Sequence, residues 1–337
     1  MNLFRKRPVL YLSVILGILM LFGLTVGRYP ISITEIGGAL LAKLTGGELT
    51  TKQDEILFLI KEIRLPRILG AVLVGAALAS SGAVYQSMFI NPLVSPSILG
   101  VLHGAGFGAA IGIVMLNSSV ATQVCAFIFA CLAVGLAVLL SSLLPRSSLL
   151  VLVLGGMVSS AFFMALTSLM KYVADPTSQL PELVYWLMGT FSGVTNKTLM
   201  QVGILLLVTL ILMCSRGKLI NIMSLGEEEA MSLGINVKRA RLGMITIATL
   251  AGASAVVIAG TIQWVGLVIP HVIRFIIGPD NKVLLPAAAL GGGLYMLGLD
   301  TVVRSVFTVE VPIGIITSIV CLPIFVFALY QSKGKWG

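Results

Sequence analysis

The segment Gly260-Thr261-Ile262-Gln263-Trp264-Val265-Gly266-Leu267-Val268-Ile269-Pro270-His271 is an apolar run without an acidic or basic side chain other than its histidine. It carries two glycines and a proline where a simple membrane span would carry leucines. Helix breakers at membrane depth survive only where neighbouring helices re-satisfy the freed backbone, or where the segment lines a cavity. The stretch predicts a membrane helix broken for a purpose, in a protein with a path to build.

The residues around it identify the solvent. Of 337 residues, 58% are hydrophobic and 10% charged, against about 25% charged in a soluble domain. Between Val9 and Val26 the leucines, isoleucines, valines and phenylalanine contribute about −0.3 to −0.6 kcal/mol each, so insertion of that span gains roughly 4 to 7 kcal/mol. Arg5-Lys6-Arg7 would suit a signal peptide. The apolar stretch, however, exceeds the roughly 7 to 15 residues of such a region and ends in Gly27-Arg28-Tyr29-Pro30, without a small-residue cleavage site. An uncleaved first helix is expected.

Ten spans fit the chain: 9–27, 68–89, 97–115, 121–144, 149–172, 197–215, 241–260, 263–277, 283–302 and 312–331. The expected fold is therefore all-α, a single polytopic membrane domain over 1–337. An even number of spans puts both ends of the chain on one side. That side holds thirteen of the 22 lysines and arginines, most of the remainder lying in the long segment 28–67. The positive-inside rule then places both termini in the cytoplasm. The net charge of +9 matches this bias and calls for membrane lipid rather than a nucleic-acid partner. Within the long outer segment, Ser32 is a candidate N-cap for an amphipathic helix through Leu44 that can lie on the membrane surface. Cys125, Cys131, Cys214 and Cys321 all fall in or at the ends of spans and read as small buried apolar residues, with no metal site.

Gly104, Gly108 and Gly112 form overlapping Gly-xxx-Gly steps, which let helix backbones approach closely. Gly155, Gly156, Ser159 and Ser160 give span 5 a small polar face, for which packing and pore lining both stay open. Chemistry is scarce. The chain has no phosphate-binding Gly-x-x-x-x-Gly-Lys-Ser/Thr, no His-Glu-x-x-His and no acidic pair deep in a span. His103 is expected to hydrogen-bond a neighbouring helix, and His271 to satisfy broken backbone. An enzyme needs an acid, base or metal constellation. An ion- or proton-coupled secondary transporter, the alternative reading, would place ionisable residues near the bilayer midplane. Neither set is here, so the energy source is expected on another chain. The loop at about 216–240 is where that chain would attach: Leu225 to Gly234 reads as a short helix bracketed by glycines, with Ala230 and Leu233 on one face and the glutamates turned to water.

Four blocks then carry a resemblance. They are Arg64-Leu65-Pro66-Arg67; Gly75-Ala76-Ala77-Leu78-Ala79 with Gly82, Gln86, Asn91-Pro92-Leu93 and Leu99-Gly100; Ala230-Met231-Ser232-Leu233-Gly234-Ile235; and Gly266-Leu267-Val268-Ile269-Pro270-His271 with Arg274, Asp300, Arg304 and Val311-Pro312-Ile313-Gly314. In this order and spacing the chain resembles, over nearly its whole length, the permease subunits of vitamin B12 and iron-chelate ABC importers (the FecCD/BtuC type). Within that family it looks most like permeases of molybdate/tungstate importers. The resemblance implies a bacterial inner-membrane homodimer of ten-helix subunits, two cytoplasmic ATPase subunits that hold ATP and Mg, and a periplasmic binding protein. No cofactor or metal is expected on this chain and no catalytic residue. It implies ATPase coupling through Gly226, Glu227, Ala230, Leu233 and Gly234, and a cytoplasmic gate at Asn91, Leu93, Ser147 and Ser148. Gly156 and Ser160 would line the pathway, and Arg64, Arg67 and Arg304 would dock the binding protein. Where many relatives carry an acidic residue after Asn-Pro-Leu-Ala, this chain has Val94-Ser95-Pro96.

Overall fold

The computed structural model describes residues 7–27, 29–46, 48–143 and 149–332, all helices and connecting turns. The helices are α1 Pro8–Thr25, α2 Ile33–Leu44, α3 Thr51–Phe58, α4 Leu65–Met88, α5 Val101–Met115, α6 Ser119–Ser142, α7 Leu149–Val173, α8 Gln179–Met188, α9 Asn196–Ser215, α10 Gly217–Met223, α11 Glu227–Ser232, α12 Val237–Ala259, α13 Val265–Ile277, α14 Asn281–Val306 and α15 Ile313–Ser332. Among the described residues, seven helical segments are long and apolar enough to cross a bilayer, and three shorter apolar helices (in α5, α13 and α15) stand where the other expected spans fall. Apolar side chains are uncovered along α1 (Leu10, Val14, Ile18, Leu21) and α6 (Val124, Ile128, Leu132, Leu139). Spaced three, four and seven apart, each set makes one continuous greasy stripe, which lipid covers and water would not.

The core sits around α4, whose most apolar window is 83% buried, and α12, at 72%. Glycine makes this possible. A Cβ on Gly82 would lie 1.7 Å from the carbonyl oxygen of Gly266, and one on Gly292 2.1 Å from that of Gly75. The backbones of α13 and α14 therefore rest directly on α4, a separation no side chain permits. The Gly-xxx-Gly steps of α5 act the same way, since a Cβ at Gly104 or Gly108 would meet the carbonyl oxygens of Phe129 or Cys125 on α6 at 2.3 and 2.2 Å.

Among the described residues, five short helices lie outside the predicted spans: α2, α3, α8, α10 and α11. The amphipathic α2 forms as expected: Ser32 Oγ accepts from the Glu35 N–H at 3.2 Å and Glu35 returns the bond to Ser32 N at 2.9 Å. Lys52 of α3 donates to Glu35 at 2.6 Å. That bond and those of Ser32 hold the Glu35 carboxyl down at about 2. The helices α3, α8 and α10 were not expected from hydropathy, being too short or too polar to register as spans.

Candidate translocation pathway and coupling surface

The opening motif is broken where predicted. Gly260 has φ +68° and Trp264 φ +69°, so the chain turns sharply between α12 and α13. The freed backbone is met by α8. The N–H of Thr190 donates to the Ala259 carbonyl at 2.8 Å, and the Thr261 hydroxyl donates to the carbonyl of Leu187. Gly189, Gly260 and Gly314 let three backbones meet: their added Cβ atoms would lie 2.7 Å from Thr261 O, 2.4 Å from Trp186 O and 2.1 Å from Met188 O. Helix α8, invisible in the hydropathy, is thus what makes the break affordable. His271 does not serve this purpose. It lies inside α13 beyond Pro270, with Nδ1 buried and unpartnered. His103 likewise has a buried Nδ1 with no hydrogen bond, against the expectation of a bond to a neighbouring helix.

The small face of α7 is used for packing. A Cβ on Gly156 would lie 2.3 Å from the carbonyl oxygen of Ile98, in the turn Pro96–Leu99. Ser159 Oγ donates to Ala133 O at 2.7 Å, and Ser160 Oγ is buried without a partner. Gly156 and Ser160 therefore face the chain's own Pro96–Gly100 turn, not open space, because only small residues let that turn close on the helix.

At the opposite end of the bundle, α11 is bracketed by Gly226 (φ +120°) and Gly234 (φ +80°), left-handed conformations that favour glycine. Ala230 is fully buried against the chain itself, while Leu225, Met231 and Leu233 are exposed. The expectation that Ala230 and Leu233 share a partner-facing side is corrected: Ala230 is the inward anchor, and Glu227 braces the helix by pairing with Arg241 of α12. A partner would meet Leu225, Met231 and Leu233.

A buried polar chain leads from this segment into the bundle. Asn221 of α10 donates to Asp280 at 2.6 Å and accepts from the backbone and side chain of Asn281 at 2.8 and 2.9 Å. Ser87 donates to Asn281 Oδ1 at 2.8 Å, and Arg274 donates to Ser87 at 3.2 Å and to Gln86 at 3.0 Å. Gln86 in turn donates to Leu267 O at 2.9 Å, and its own carbonyl accepts the N–H of Asn91 at 3.1 Å. Asn91 and Leu93 are exposed in the turn after α4, with Asn91 Oδ1 accepting from the Leu93 N–H at 2.9 Å. Ser147 and Ser148 lie outside the described residues. Asp280 caps α14 by accepting from Lys282 N at 3.0 Å. The Asn221 bond, then that of Lys282, hold its carboxyl below the usual carboxylate range. A depressed carboxyl contributes stability above its unfolded pKa and loses it as pH falls through the folded value, so this link is intact at neutral pH.

The three arginines at the far end converge, with an acidic complement the sequence did not reveal. Asp300 is 1% exposed and accepts from Arg67 Nε at 3.0 Å and Nη2 at 2.9 Å. Glu310 takes Arg67 Nη1 at 2.7 Å. Arg304 Nε lies 3.0 Å from Asp300 Oδ2, close enough to pair but without hydrogen-bond alignment. Arg64 donates to the backbone carbonyls of Leu24 and Tyr29, tying α1 to α4. Two guanidiniums, those of Arg67 and Arg304, thus face two carboxylates.

Comparison with known proteins agrees with this architecture. The FecCD transport family matches residues 15–331. The chain is 38% identical over 322 residues to the molybdate import system permease protein MolB of Haemophilus influenzae, covering 96% of this chain and 95% of that one. It is 36% identical over 291 residues to the hemin transport system permease protein HmuU of Yersinia pestis, covering 84% and 86%. A solved metal-chelate type ABC transporter in an inward-facing conformation superposes with a TM-score of 0.86 at 35% identity, over 97% of this chain and 99% of that one. The chain is a multi-pass membrane protein and belongs to the FecCD transport family.

Proposed function

We propose that this chain is the membrane-spanning permease subunit of a binding-protein-dependent ABC importer. It works as a homodimer in the bacterial inner membrane, with both termini cytoplasmic, and carries a molybdate/tungstate-type oxyanion or a metal chelate. The observation that carries the reading is α11 with its flanking turns: a short helix anchored from within through Ala230 and Glu227, with three large apolar side chains uncovered on it and beside it, on a membrane chain without energy-converting chemistry. Two cytoplasmic ATPase subunits supply ATP and Mg and seat against Leu225, Met231 and Leu233. The gate lies at Asn91 and Leu93 with Ser147 and Ser148, where copies meet across the two-fold axis. A periplasmic binding protein docks on the arginine end, at Arg67 and Arg304, with Arg64 holding that surface in place.

The test is reconstitution of the permease with its ATPase and binding protein in liposomes. Uptake that requires ATP and all three components is expected. Uptake by the permease alone, driven by an ion gradient, would replace this reading with that of a secondary transporter.

The polar chain from Asn221 to Gln86 joins the ATPase-facing segment to the gate turn, which gives a separate prediction. Asn221→Leu removes the bonds to Asp280 and Asn281, at about 0.5–1.5 kcal/mol each. The importer is expected to assemble and hydrolyse ATP while the substrate carried per ATP falls roughly tenfold. An unchanged ratio of uptake to hydrolysis would remove this chain from the coupling route.

A further inference from the structure

The outer part of α7, together with α5, the end of α8 and the break at Gly260–Trp264, lines a half-open cavity of about 200 Å³, the liquid volume of roughly six or seven waters. Its polar lining is His103, Thr167, Ser168, Lys171, Thr261 and Gln263, and no aspartate or glutamate lines it. The hydroxyls of Thr167, Ser168 and Thr261 already donate to the carbonyls of Phe163, Met164 and Leu187. The groups free to donate into the space are therefore the Lys171 ammonium, the Gln263 amide and a ring N–H of His103. Lys171 makes no ion pair among the described residues. A cation and two neutral donors, with no counter-charge, fit an oxygen anion and disfavour a cation.

Position strengthens the assignment. Residues 160, 164, 167, 168 and 171 follow the three- and four-residue spacing of one helix face. The same stripe of α7 that closes on the Pro96–Gly100 turn at Gly156 and Ser160 opens into the cavity at Met164, about 6 Å beyond Ser160, and reaches Lys171 about 16 Å beyond that serine. A lysine in the last turn of a helix can instead reach lipid headgroups. That role, however, would not gather His103 and Gln263 from two other segments around the same space.

We propose that this cavity is an anion-binding way-station of the pathway, in which Lys171, Gln263 and His103 hold an oxyanion, or the anionic oxygens at the edge of a chelate, after release from the binding protein. The assignment of the site to transport rests on the importer reading above. Two readouts separate them. In the full-length chain with its four native cysteines replaced, Ser168→Cys is labelled with a maleimide in the presence of molybdate or of ferric citrate. Protection is expected with Lys171 and is expected to weaken about tenfold or more in Lys171→Gln, the loss of one charged hydrogen bond, with Lys171→Arg restoring it. In proteoliposomes with ATPase and binding protein, Lys171→Gln is expected to lower uptake by a similar factor while binding-protein-stimulated ATP hydrolysis stays near wild type. Loss confined to molybdate identifies a small oxyanion, and loss confined to ferric citrate identifies chelate carboxylates. Protection without ATP-driven uptake in the wild type would sink the importer reading and leave the site. Absence of protection by either anion, or equal protection in Lys171→Gln, overturns the site. Stimulated hydrolysis falling in parallel with uptake would reassign Lys171 to docking.

Discussion

Replacing Met231 and Leu233 together by glutamate is expected to abolish co-purification of the ATPase while leaving the membrane bundle folded. Both side chains are more than half exposed in the isolated chain, so their removal costs the bundle little. Buried in a partner's groove, each is worth about 1.5–3 kcal/mol, and together they would weaken association on the order of 10²- to 10⁴-fold. Ala230→Arg should reach the same end by another route. Its position is fully buried against the chain itself, so the arginine dislodges α11 from its seat rather than blocking the partner directly. The double glutamate variant should keep the wild-type melting temperature, and Ala230→Arg should lower it modestly. Normal recovery of the ATPase with Met231→Glu/Leu233→Glu, measured on detergent-solubilised complex, would show that α11 is not the coupling element.

The difference between those two variants marks what sequence could and could not reveal. The glycines at 226 and 234 with a helical run between them were enough to place α11, because positive φ at both ends is a local demand. Spacing of three put Ala230 and Leu233 near each other but could not say which way the helix faced. That depends on Arg241, fourteen residues away, reaching back to Glu227. The spans followed from hydropathy because insertion energy is additive along the chain. Helix α8 did not, since four of its ten residues are polar or aromatic and its place is set by contacts with the break at Gly260–Trp264. One signal was available: Asp175-Pro176-Thr177-Ser178 reads as an Asx turn, and Asp175 does accept from the backbone N–H groups of Thr177 and Ser178 at 3.0 and 2.8 Å. With the hydroxyls of the same two residues, these bonds hold its carboxyl down at about 2. The two histidines depart from expectation because a titratable side chain in a span suggests a bonded partner, whereas both border open space.

Asp300→Asn is expected to have the largest effect on the stability of the chain itself. The arginines at 64, 67 and 304 were legible as a basic face, but the carboxylates that organise it come from α14 and from the segment after it, 233 and 243 residues beyond Arg67. In the folded chain Arg67 and Arg304 share Asp300 and Glu310, a balanced set, while Arg64 beside them is held by backbone carbonyls. Neutralising Asp300 leaves Arg67 with Glu310 alone and Arg304 with no adjacent carboxylate, and breaking a buried pair by removing one partner costs about 3–5 kcal/mol. Arg67→Met in the same chain should recover part of that loss, because the uncompensated charge is then removed with its partner. Arg304→Glu, by contrast, reverses the charge offered to a docking protein; its carboxylate lies beside Arg64 and Arg67 but also beside Asp300, so some loss of stability accompanies it. Its signature is slower association with the binding protein, most evident at low salt, since the charge of a docking face acts on encounter more than on raw affinity. Thermal unfolding in detergent separates the two effects. A melting temperature for Asp300→Asn equal to wild type would mean the cluster is hydrated and contributes only surface charge. An unchanged association rate for Arg304→Glu at low ionic strength would place the docking surface away from this end of the bundle.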